Sequence, residues 1–408
     1  MSHIQKNIFP VWMIFVQIVC NQCYSPKQTD EYYCNLLAGE PTQTSIVVVA
    51  RLHRSDTLVN NDLKGIEGYL KFRITRDNTS KNVMESPFYH VDERNDYTAK
   101  YEFTGLRPGQ KYYYCISYGR DTSNNTSSSW SNFSTLNLPV SDRNISFAVT
   151  NEIKYQPFNK EIVRPENASS FASLYSVLNS ISFFNPDFLL GNAEIDYSDM
   201  QSENNTETKD GSKYQRHNLF TIPPYNIMLS HIPSFWILSG NPGTENSIFY
   251  QIPVNAINPD HPAYYRTYRL NRDVQIWILC SLFSNSDSNG KNNKAAQLSW
   301  LKKSLKESNS PFKLLISGEA IIGSDTNSKN ECSPEVFKAD KDSLFSWLKN
   351  NGCRNNGLYF ICNRPISQYH LIDPTGFEEF SCGSLFKPAI QEVRITADSI
   401  LKNPNGEI

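Results

Sequence analysis

The pattern of apolar residues changes near residue 140, and this change constrains the fold more than any other feature of the chain. Before it, short β-like runs alternate with turns and no convincing helix is visible. These runs are 44–52, 68–74, 97–103 and 111–118. After it, apolar runs stop alternating with polar residues, as is typical of strands buried on both faces. These runs are 145–149, 187–190, 235–238, 274–279, 313–316 and 358–362.

Helical patterns separate the later apolar runs. Apolar side chains recur at helical spacing in 168–181, 295–307 and 342–350, with polar residues on the opposite face. Strands that alternate with helices favour a layered α/β domain. The sequence therefore predicts an α/β protein in which a β-sandwich precedes a layered domain.

Gly105–Tyr114 (GLRPGQKYYY) resembles the strand entry of a fibronectin type III domain. In that pattern a Leu and a Pro precede a tyrosine whose hydroxyl bonds back to the backbone at a corner of the sandwich. Tyr112 is the best candidate for the corner tyrosine. The simplest role of such a sandwich is that of a spacer or a structural cap.

A nearly uncharged run of about 13 residues, Ile8–Cys20, lies close to the amino terminus. A membrane span needs about 20 apolar residues, whereas the core of a signal peptide needs about 7 to 15. The run predicts a signal peptide at residues 1–24, with cleavage near Cys20–Ser25. Because no clean small-x-small cleavage site is present, an uncleaved anchor or a buried strand is the alternative.

Seven N-x-S/T sequons agree with export, although an Asn- and Ser-rich chain also produces sequons by chance. The candidate glycosylation sites are Asn78, Asn124, Asn125, Asn132, Asn144, Asn167 and Asn204. The prediction is a glycoprotein that is secreted, or that resides in the lumen of the secretory pathway or at the cell surface. After signal cleavage no transmembrane span is expected.

The cysteines fit an oxidising compartment and show no CxxC metal spacing. Cys34 and Cys115 are candidates for a disulfide between the first and last strands of the sandwich, and Cys332 and Cys353 for one that closes a loop. Cys280 and Cys362, which end apolar runs, are interpreted as buried free thiols.

Charge and motifs exclude several classes of function. The chain has 39 Lys and Arg against 41 Asp and Glu, a net charge of −2. A nearly neutral chain argues against nucleic acid or an anionic membrane as a partner. The GxSxG elbow and the catalytic-cysteine signatures are missing from the sequence, which argues against serine and cysteine hydrolases.

The order of segments resembles the alkaline phosphatase D (PhoD-like) metallophosphoesterases over nearly all of the chain after the apolar run. Leu37–Arg51 (LAGEPTQTSIVVVAR) is similar to the family's opening strand, usually close to ASGDPTxxSVVLWTR. Further similar segments follow in the family's order: Tyr97–Tyr114, Phe147–Gln156, Pro186–Asn192, Tyr264–Arg269, Gln297–Leu305 and Gly376–Phe380. One such segment is weak evidence, whereas six or more in the right order are specific.

The resemblance implies a fibronectin type III-like β-sandwich at residues 31–138 and a layered αββα metallophosphatase-like domain at 144–392, with a tail at 393–408. Members of this family hydrolyse phosphate esters with metal ions held at the carboxyl ends of the central strands. Those ligands must be carboxylate, imidazole or thiolate, because a cluster of cations needs several negative charges close by.

The first two ligand positions implied by the resemblance depart from the family. Glu152, or Asn151 if the register slips by one, stands where the family has the Cys of SCQ, and a Glu is still able to ligate a metal ion. Asn192 stands where the family has the Asp of LGD. Asn is nearly isosteric with Asp, so the shape of a site survives this replacement while its charge is lost.

The later positions depart further. Residues 239–242 (SGNP) stand where the family has DDHE, which makes Asn241 a degenerate catalytic position, and Asn246 keeps a family-like amide. Cys280 replaces the Asp of LDTR, and Asn363 replaces the Asp of GDxH. These are degenerate family positions, and no catalytic or metal-binding residue is therefore assigned. No cofactor is expected, and an active form would need divalent or trivalent ions such as Fe, Ca, Zn or Mn.

Other acids and histidines near strand ends are candidates for a rebuilt site. They are Glu194, Asp196, Asp199, His231, Glu245 and His370. They show no metal-ligand spacing, and the simpler explanation of each is a solvated loop acid or a surface histidine.

The favoured hypothesis is a catalytically impaired pseudoenzyme that acts by binding an unknown protein or a phosphate-ester ligand. One alternative is an active, divergent phosphomonoesterase or phosphodiesterase with a rebuilt metal site. The other is a structural surface glycoprotein in which both domains serve as scaffold.

Overall fold

The strands expected on both sides of residue 140 are present in the structure, a computed structural model. It describes residues 31–55, 63–77, 82–150, 176–192, 225–237, 252–254, 265–279, 294–318, 320–322, 334–353, 357–362, 368–372, 376–382, 393–396 and 399–402. Within these residues no helix is long and apolar enough to cross a membrane.

Nine short strands build the amino-terminal half. They are β1 (Tyr33–Gly39), β2 (Ile46–His53), β3 (Gly68–Thr75), β4 (Met84–Glu85), β5 (Tyr89–Val91), β6 (Thr98–Phe103), β7 (Lys111–Gly119), β8 (Asn125–Ser127) and β9 (Ser131–Ser134). One sheet contains β1, β2 and β6 in that order. In the other sheet β3 pairs with β4, β5 and β7, and β7 pairs with β8 and β9. All these pairs are antiparallel.

Alternation along β3 shows why the two sheets pack face to face. Leu70, Phe72 and Ile74 are fully buried, whereas Lys71 and Arg73 between them remain half-buried on the outer face. Successive side chains of a strand point to opposite faces, so one set fills the core between the sheets. Burying each large apolar side chain contributes about 1.5–3 kcal/mol.

Tyr112 forms the predicted corner of the sandwich. Its hydroxyl accepts a hydrogen bond of 2.9 Å from the backbone N–H of Arg107, five residues upstream. The ring is buried and stacks on Phe133 of β9, with ring centroids 5.8 Å apart. The prediction of a tyrosine corner is confirmed.

The second half of the chain adds eleven strands and four helices among the described residues. The strands are β10 (Phe147–Val149), β11 (Phe188–Asn192), β12 (Ser234–Ile237), β13 (Arg266–Arg269), β14 (Val274–Ile278), β15 (Phe312–Ser317), β16 (Leu358–Cys362), β17 (Gln368–Ile372), β18 (Glu378–Cys382), β19 (Val393–Thr396) and β20 (Ser399–Lys402). The helices are α1 (176–184), α2 (Tyr225–His231), α3 (Lys294–Glu307) and α4 (Pro334–Asn350).

Each apolar run predicted as a strand is one, within two residues at either end. The helix predicted at 295–307 is α3, and that at 342–350 is the second half of α4, which begins eight residues earlier, at Pro334. Of the helix predicted at 168–181, residues 176–181 are helical and the rest lie outside the described residues.

The later strands form two layers. Strands β10, β11 and β12 are parallel neighbours, and a second sheet has the order β13-β14-β15-β16-β18-β17, parallel except for its two edge strands. Apolar side chains of both sheets meet in one core that includes Phe188, Phe235, Ile278 and Ile316. Helices α3 and α4 pack on the other side of the second sheet. The order helix, sheet and sheet is that of a layered α/β domain.

One sheet contains strands from both predicted domains. Gly39, at the end of β1, pairs in parallel with Ser234 of β12, so the first sheet runs β10-β11-β12-β1-β2-β6. A Cβ atom at Gly39 would lie 2.4 Å from the carbonyl oxygen of Ser234, and only glycine allows this approach. The division of the chain at 138 and 144 stays a prediction.

We expect Tyr112→Phe to lower the free energy of unfolding by about 1–3 kcal/mol, because the ring stays buried while the N–H of Arg107 loses its acceptor. Urea unfolding measures the change. Tyr113→Phe is the matched control, since the neighbouring ring points outward, and should change the stability by less than about 0.5 kcal/mol. Equal effects of the two substitutions would contradict the role of the corner.

Candidate functional site

The carboxyl ends of the parallel strands in the two layers lie close to one another. Arg266 of β13 stands opposite Ile278, the last residue of β14. The Nη2 of the same arginine donates a hydrogen bond of 2.7 Å to the carbonyl of Trp236, one residue before the end of β12. One guanidinium therefore spans the distance between the two strand ends. This edge of an α/β sheet is where ligands usually bind.

Among the predicted site residues, Asn192 falls on a described strand. It ends β11 and pairs with Ile237, the last residue of β12. Asn363 directly follows the last residue of β16 in the sequence. Glu152, Asn241, Asn246 and Asn363 lie outside the described residues, as does Cys280. The structure brings together the ends of β11, β12 and β14. The roles of Glu152, Asn192, Asn241, Asn246 and Asn363 stay predictions.

A glycine keeps β11 close to its neighbour just before Asn192. A Cβ atom at Gly191 would lie 2.9 Å from the ring of Trp236. That ring is almost fully buried, and its indole N–H donates to the Ser234 hydroxyl at 2.8 Å. The local sequence LGN thus lets the Trp236 indole lie against β11 directly before its last residue, Asn192.

A buried cluster of charged and polar side chains lies beside the end of β12. Arg266 donates from Nε to the Oε1 of Glu40 at 2.7 Å, and the Tyr268 hydroxyl donates to the other carboxylate oxygen. Glu40 directly follows β1 and its side chain is 3% exposed, while that of Arg266 is 10% exposed. The Nη1 of Arg266 is buried without a hydrogen-bond partner among the described residues.

Burial and the charge of Glu40 both act on the Tyr268 hydroxyl. Burial raises the pKa of Tyr268 well above its ordinary value, and the charge of Glu40 raises it further. The phenol therefore stays protonated and donates to the carboxylate. A buried carboxylate needs such partners because an unpaired charge is costly in a medium of low dielectric constant.

Lys100 of β6 extends the cluster. Its Nζ donates to the backbone carbonyl of Val254 at 2.9 Å. Burial lowers the pKa of Lys100 to about 8, and the nearby charge of Glu40 acts in the opposite direction. The folded protein therefore favours the neutral amine of Lys100 more than the unfolded chain does.

Sequence reasoning did not single out Glu40, Arg266, Tyr268 or Lys100. Glu40 and Arg266 stand 226 positions apart, and each lies inside a segment that resembles the family. The one available signal for this pair was that the first segment contains an acidic residue and the second a basic residue. The sequence does not show that the two segments meet.

Two proposed substitute ligands are surface histidines. His231 ends α2, on the side of β12 where that strand begins, and its Nδ1 lies 2.8 Å from the Ser230 hydroxyl. His370 of β17 stacks on Phe380, and its Nε2 lies 3.1 Å from Glu378. Both side chains are exposed, as the surface-histidine explanation predicts. The other proposed substitutes, Glu194, Asp196, Asp199 and Glu245, lie outside the described residues.

The donor set at the predicted metal positions does not fit a cluster of cations. Asn192 and Asn363 stand where the resembling family has carboxylates, Asn246 keeps a family-like amide, and Glu152 is the one anion among these positions. Several negative charges are needed to hold two or more multivalent ions. In the part of the chain that the structure describes, no three His, Cys, Asp or Glu side chains gather as metal ligands would.

The predicted disulfides are not formed: Cys34, Cys115 and Cys353 are free thiols, and Cys332 lies outside the described residues. Cys34 packs against the sandwich core, where burial raises its pKa to about 12. Cys115 of β7 stands directly opposite Arg73 of β3, whose side chain lies on the outer face of the sheet, so the thiol of Cys115 lies on that face as well. Two cysteines whose Cβ atoms point to different faces cannot be joined without moving the backbone. Cys362 is buried at the end of β16, as predicted, and forms no disulfide among the described residues.

Four sequons lie on described residues. Asn124, Asn125 and Asn144 are exposed, and Asn132 on β9 is half-buried. Asn78, Asn167 and Asn204 lie outside the described residues. Sugar attachment at any of these positions stays a prediction.

We expect Glu40→Gln to lower the free energy of unfolding by about 3–5 kcal/mol, because it leaves the buried guanidinium of Arg266 without a counter-charge. Glu85→Gln is the matched control. Glu85 pairs with Lys71 and Arg73 on the surface and is 38% exposed, so its loss should cost at most about 1 kcal/mol. Urea unfolding near neutral pH compares the two, and equal losses would contradict the importance of the buried pair.

Lys100 should make stability depend on pH above neutrality. Its pKa is about 8 in the folded protein against an ordinary 10.5, so between these values the unfolded chain binds more protons. The free energy of unfolding therefore rises with pH in this window. Relative to Lys100→Met, the wild type should gain about 1–2 kcal/mol between pH 7 and pH 9.5.

Urea unfolding at the two pH values measures this gain. Lys303→Met, which removes an ammonium group that is 76% exposed, is the matched control. A stability difference between wild type and Lys100→Met that stays the same at both pH values would contradict the prediction.

Comparison with known proteins agrees with this architecture. No curated protein matches the sequence at a significant level. Residues 20–136 match the family profile described as "PhoD-like phosphatase, N-terminal domain".

Two solved structures share the fold over most of the chain. A structure of PhoD matches with a TM-score of 0.60 and 13% identity, covering 86% of this chain and 77% of that one. A purple acid phosphatase from yellow lupin (Lupinus luteus) seeds matches with a TM-score of 0.56 and 10% identity, covering 92% of this chain and 68% of that one. At such low identity the matches establish the fold. The chain thus combines a β-sandwich with a metallophosphatase-like α/β domain, and it resembles the PhoD-like phosphatases.

Proposed function

We propose that the protein is a secreted glycoprotein that binds a phosphate ester, free or carried by a protein, in the remnant cleft of a PhoD-like phosphatase fold without hydrolysing it efficiently. The observation that carries this proposal is the amide at the end of β11, where the resembling family has a carboxylate. Asn363, next to the end of β16, repeats the same replacement.

Hydrolysis by this fold depends on metal ions that activate water and neutralise the ester. With Asn at two ligand positions and Glu152 as the one carboxylate, the residues in place do not supply the negative charge that such ions need. A neutral amide adds dipoles but no net charge, so multivalent cations would be left uncompensated. Loss of the metal ions removes the main source of rate enhancement.

The same replacements favour direct binding of an anion. A carboxylate only accepts hydrogen bonds and repels a phosphate, whereas the Asn amide carries two N–H donors. Arg266 lies at the ends of β12 and β14 with its charge balanced by Glu40, and its Nη1 has no hydrogen-bond partner among the described residues. A cleft with amide and guanidinium N–H donors is suited to phosphate oxygens.

The experiment measures metal, turnover and phosphate binding on one preparation. We expect no stoichiometric Fe, Ca, Zn or Mn and no alkaline hydrolysis of chromogenic phosphate mono- and diesters above background. Calorimetry should detect binding of inorganic phosphate. Asn192→Asp should weaken that binding at least about tenfold, because the new carboxylate repels the anion.

A double variant tests whether restoring two carboxylates restores affinity for cations. Asn192→Asp combined with Asn363→Asp should raise the affinity for divalent cations. Asn350→Asp on the exposed end of α4 is the matched control and should change neither phosphate nor cation binding. Stoichiometric metal in the unmodified protein, with turnover abolished by Glu152→Ala, would overturn the proposal.

The second candidate is an active, divergent phosphoesterase. The observation in its favour is that Glu152 keeps an anionic ligand and that Glu194, Asp196 and Asp199 follow β11 within seven residues. Metal with Glu152-dependent turnover would establish it. Absence of both metal and phosphate binding would favour the third alternative, a structural surface glycoprotein.

A further inference from the structure

Asn132 stands beside an aromatic ring on the outer face of the sandwich. In β9 Phe133 points into the core, so its neighbour Asn132 points outward and is half-buried. The residue directly opposite Asn132 is Tyr113 of β7. Tyr113 is also half-buried, between the inward-facing Tyr112 and Tyr114. Directly opposed residues have Cβ atoms about 4.5–5.5 Å apart, so the Asn132 amide and the Tyr113 ring are neighbours.

Trp130 supplies a second ring on the same face. It stands two positions before Asn132 and is half-buried. The guanidinium carbon of Arg73 lies 5.8 Å from the centre of its ring, and Arg73 also contacts the surface carboxylate Glu85 at 3.0 Å. Arg73 belongs to the outer set of β3 side chains, which places Trp130 on the outer face as well.

We propose that Asn132 carries an N-linked glycan whose first sugar packs on Trp130 and Tyr113, and that this contact stabilises the sandwich. The proposal rests on the passage through the secretory pathway given under Proposed function. There a lipid-linked oligosaccharide diphosphate is the donor. The Asn132 Nδ2 bonds to C1 of the first sugar, the bond from C1 to the diphosphate oxygen breaks, and the amide loses one proton.

The chemistry of this surface suits a sugar. One side of a pyranose ring presents C–H groups, and packing them on an aromatic face removes apolar area of both partners from water. The Lys111 ammonium, 5.4 Å from the centre of the Tyr113 ring, and the Arg73 guanidinium flank the two rings. Both are donors within the region where the sugar hydroxyls would lie.

The two overlapping sequons at Asn124 and Asn125 (the β8 sequons) lack these features. The residue opposite Asn125 is Gly119, which has no side chain, and the residue two positions before it is Ser123. The Asn125 amide instead donates to the Thr122 carbonyl at 3.1 Å, within its own turn. A sugar at this turn would extend into solvent, so it serves as the matched control.

Glycopeptide mass spectrometry of protein secreted from a eukaryotic host gives the first result. We expect Asn132 to be occupied. Occupancy elsewhere with Asn132 unmodified would overturn this inference alone, whereas a chain with no sugar at any sequon would overturn the secretory proposal as well.

Thermal unfolding of the secreted protein gives the second result. Ser134→Ala removes the Asn132 sequon and should lower the midpoint by about 2–4 °C. Protein made without glycosylation gives the baseline for this substitution, where no such shift is expected. Removing both β8 sequons with Thr126→Ala and Ser127→Ala should leave the midpoint unchanged. Trimming the glycan to its first sugar should also preserve the midpoint.

The role of the rings is tested by repeating Ser134→Ala in a Trp130→Ala background, where the shift should fall by at least half. If Trp130→Ala is not secreted, Tyr113→Leu is the second background. A shift of the same size without the ring, or no shift in the wild-type background, would overturn the inference.

Discussion

The meeting of β1 with β12 is the constraint on which the rest of this structure depends. The backbone of Gly39 lies against Ser234 in a parallel pair, and the N–H of Glu40 donates to the Ser234 carbonyl at 2.9 Å. A single sheet therefore continues from the sandwich into the layered domain. The side chain that follows this contact, Glu40, is the one that holds Arg266 and Tyr268. Sandwich and strand ends are thus positioned by the same few residues.

A buried ion pair is weak evidence for stability as such, because desolvation of both charges offsets their attraction. Its geometry explains its use here. Arg266 contacts Glu40 after β1, the carbonyl of Trp236 in β12 and, through strand pairing, Ile278 in β14. Apolar side chains of similar volume would pack in several ways, whereas the directed donors of a guanidinium fix one relative position of three strands. The pair fixes the spacing of these strand ends.

The sequence predicted the parts of the fold whose signal is local. Continuous apolar runs such as 274–279 and 313–316 gave strands, and the Leu-Arg-Pro pattern before Tyr112 gave the corner. β1 (YCNLLAG) and β13 (RTYR) were not predicted, because each mixes polar and apolar residues and is held by partners elsewhere in the chain. The Cys34–Cys115 disulfide failed for a related reason: the spacing in sequence does not show which face of a strand a thiol occupies. Of the candidate site, the strands that carry it were predictable, while the contact between Glu40 and Arg266 needed the tertiary structure.

The distribution of acidic residues connects this framework with the proposed function. The chain has 41 Asp and Glu, yet Asn192 and Asn363 occupy positions where the resembling family places carboxylates at strand ends. Carboxylates that face one another repel unless cations lie between them, so a cleft lined by acids depends on metal for part of its stability. Amides of nearly the same shape remove that repulsion. On the proposed assignment, the strand ends held by Arg266 then keep their spacing without any ion. The amide N–H groups are then available to donate hydrogen bonds to an anionic ligand directly, with no metal ion between them.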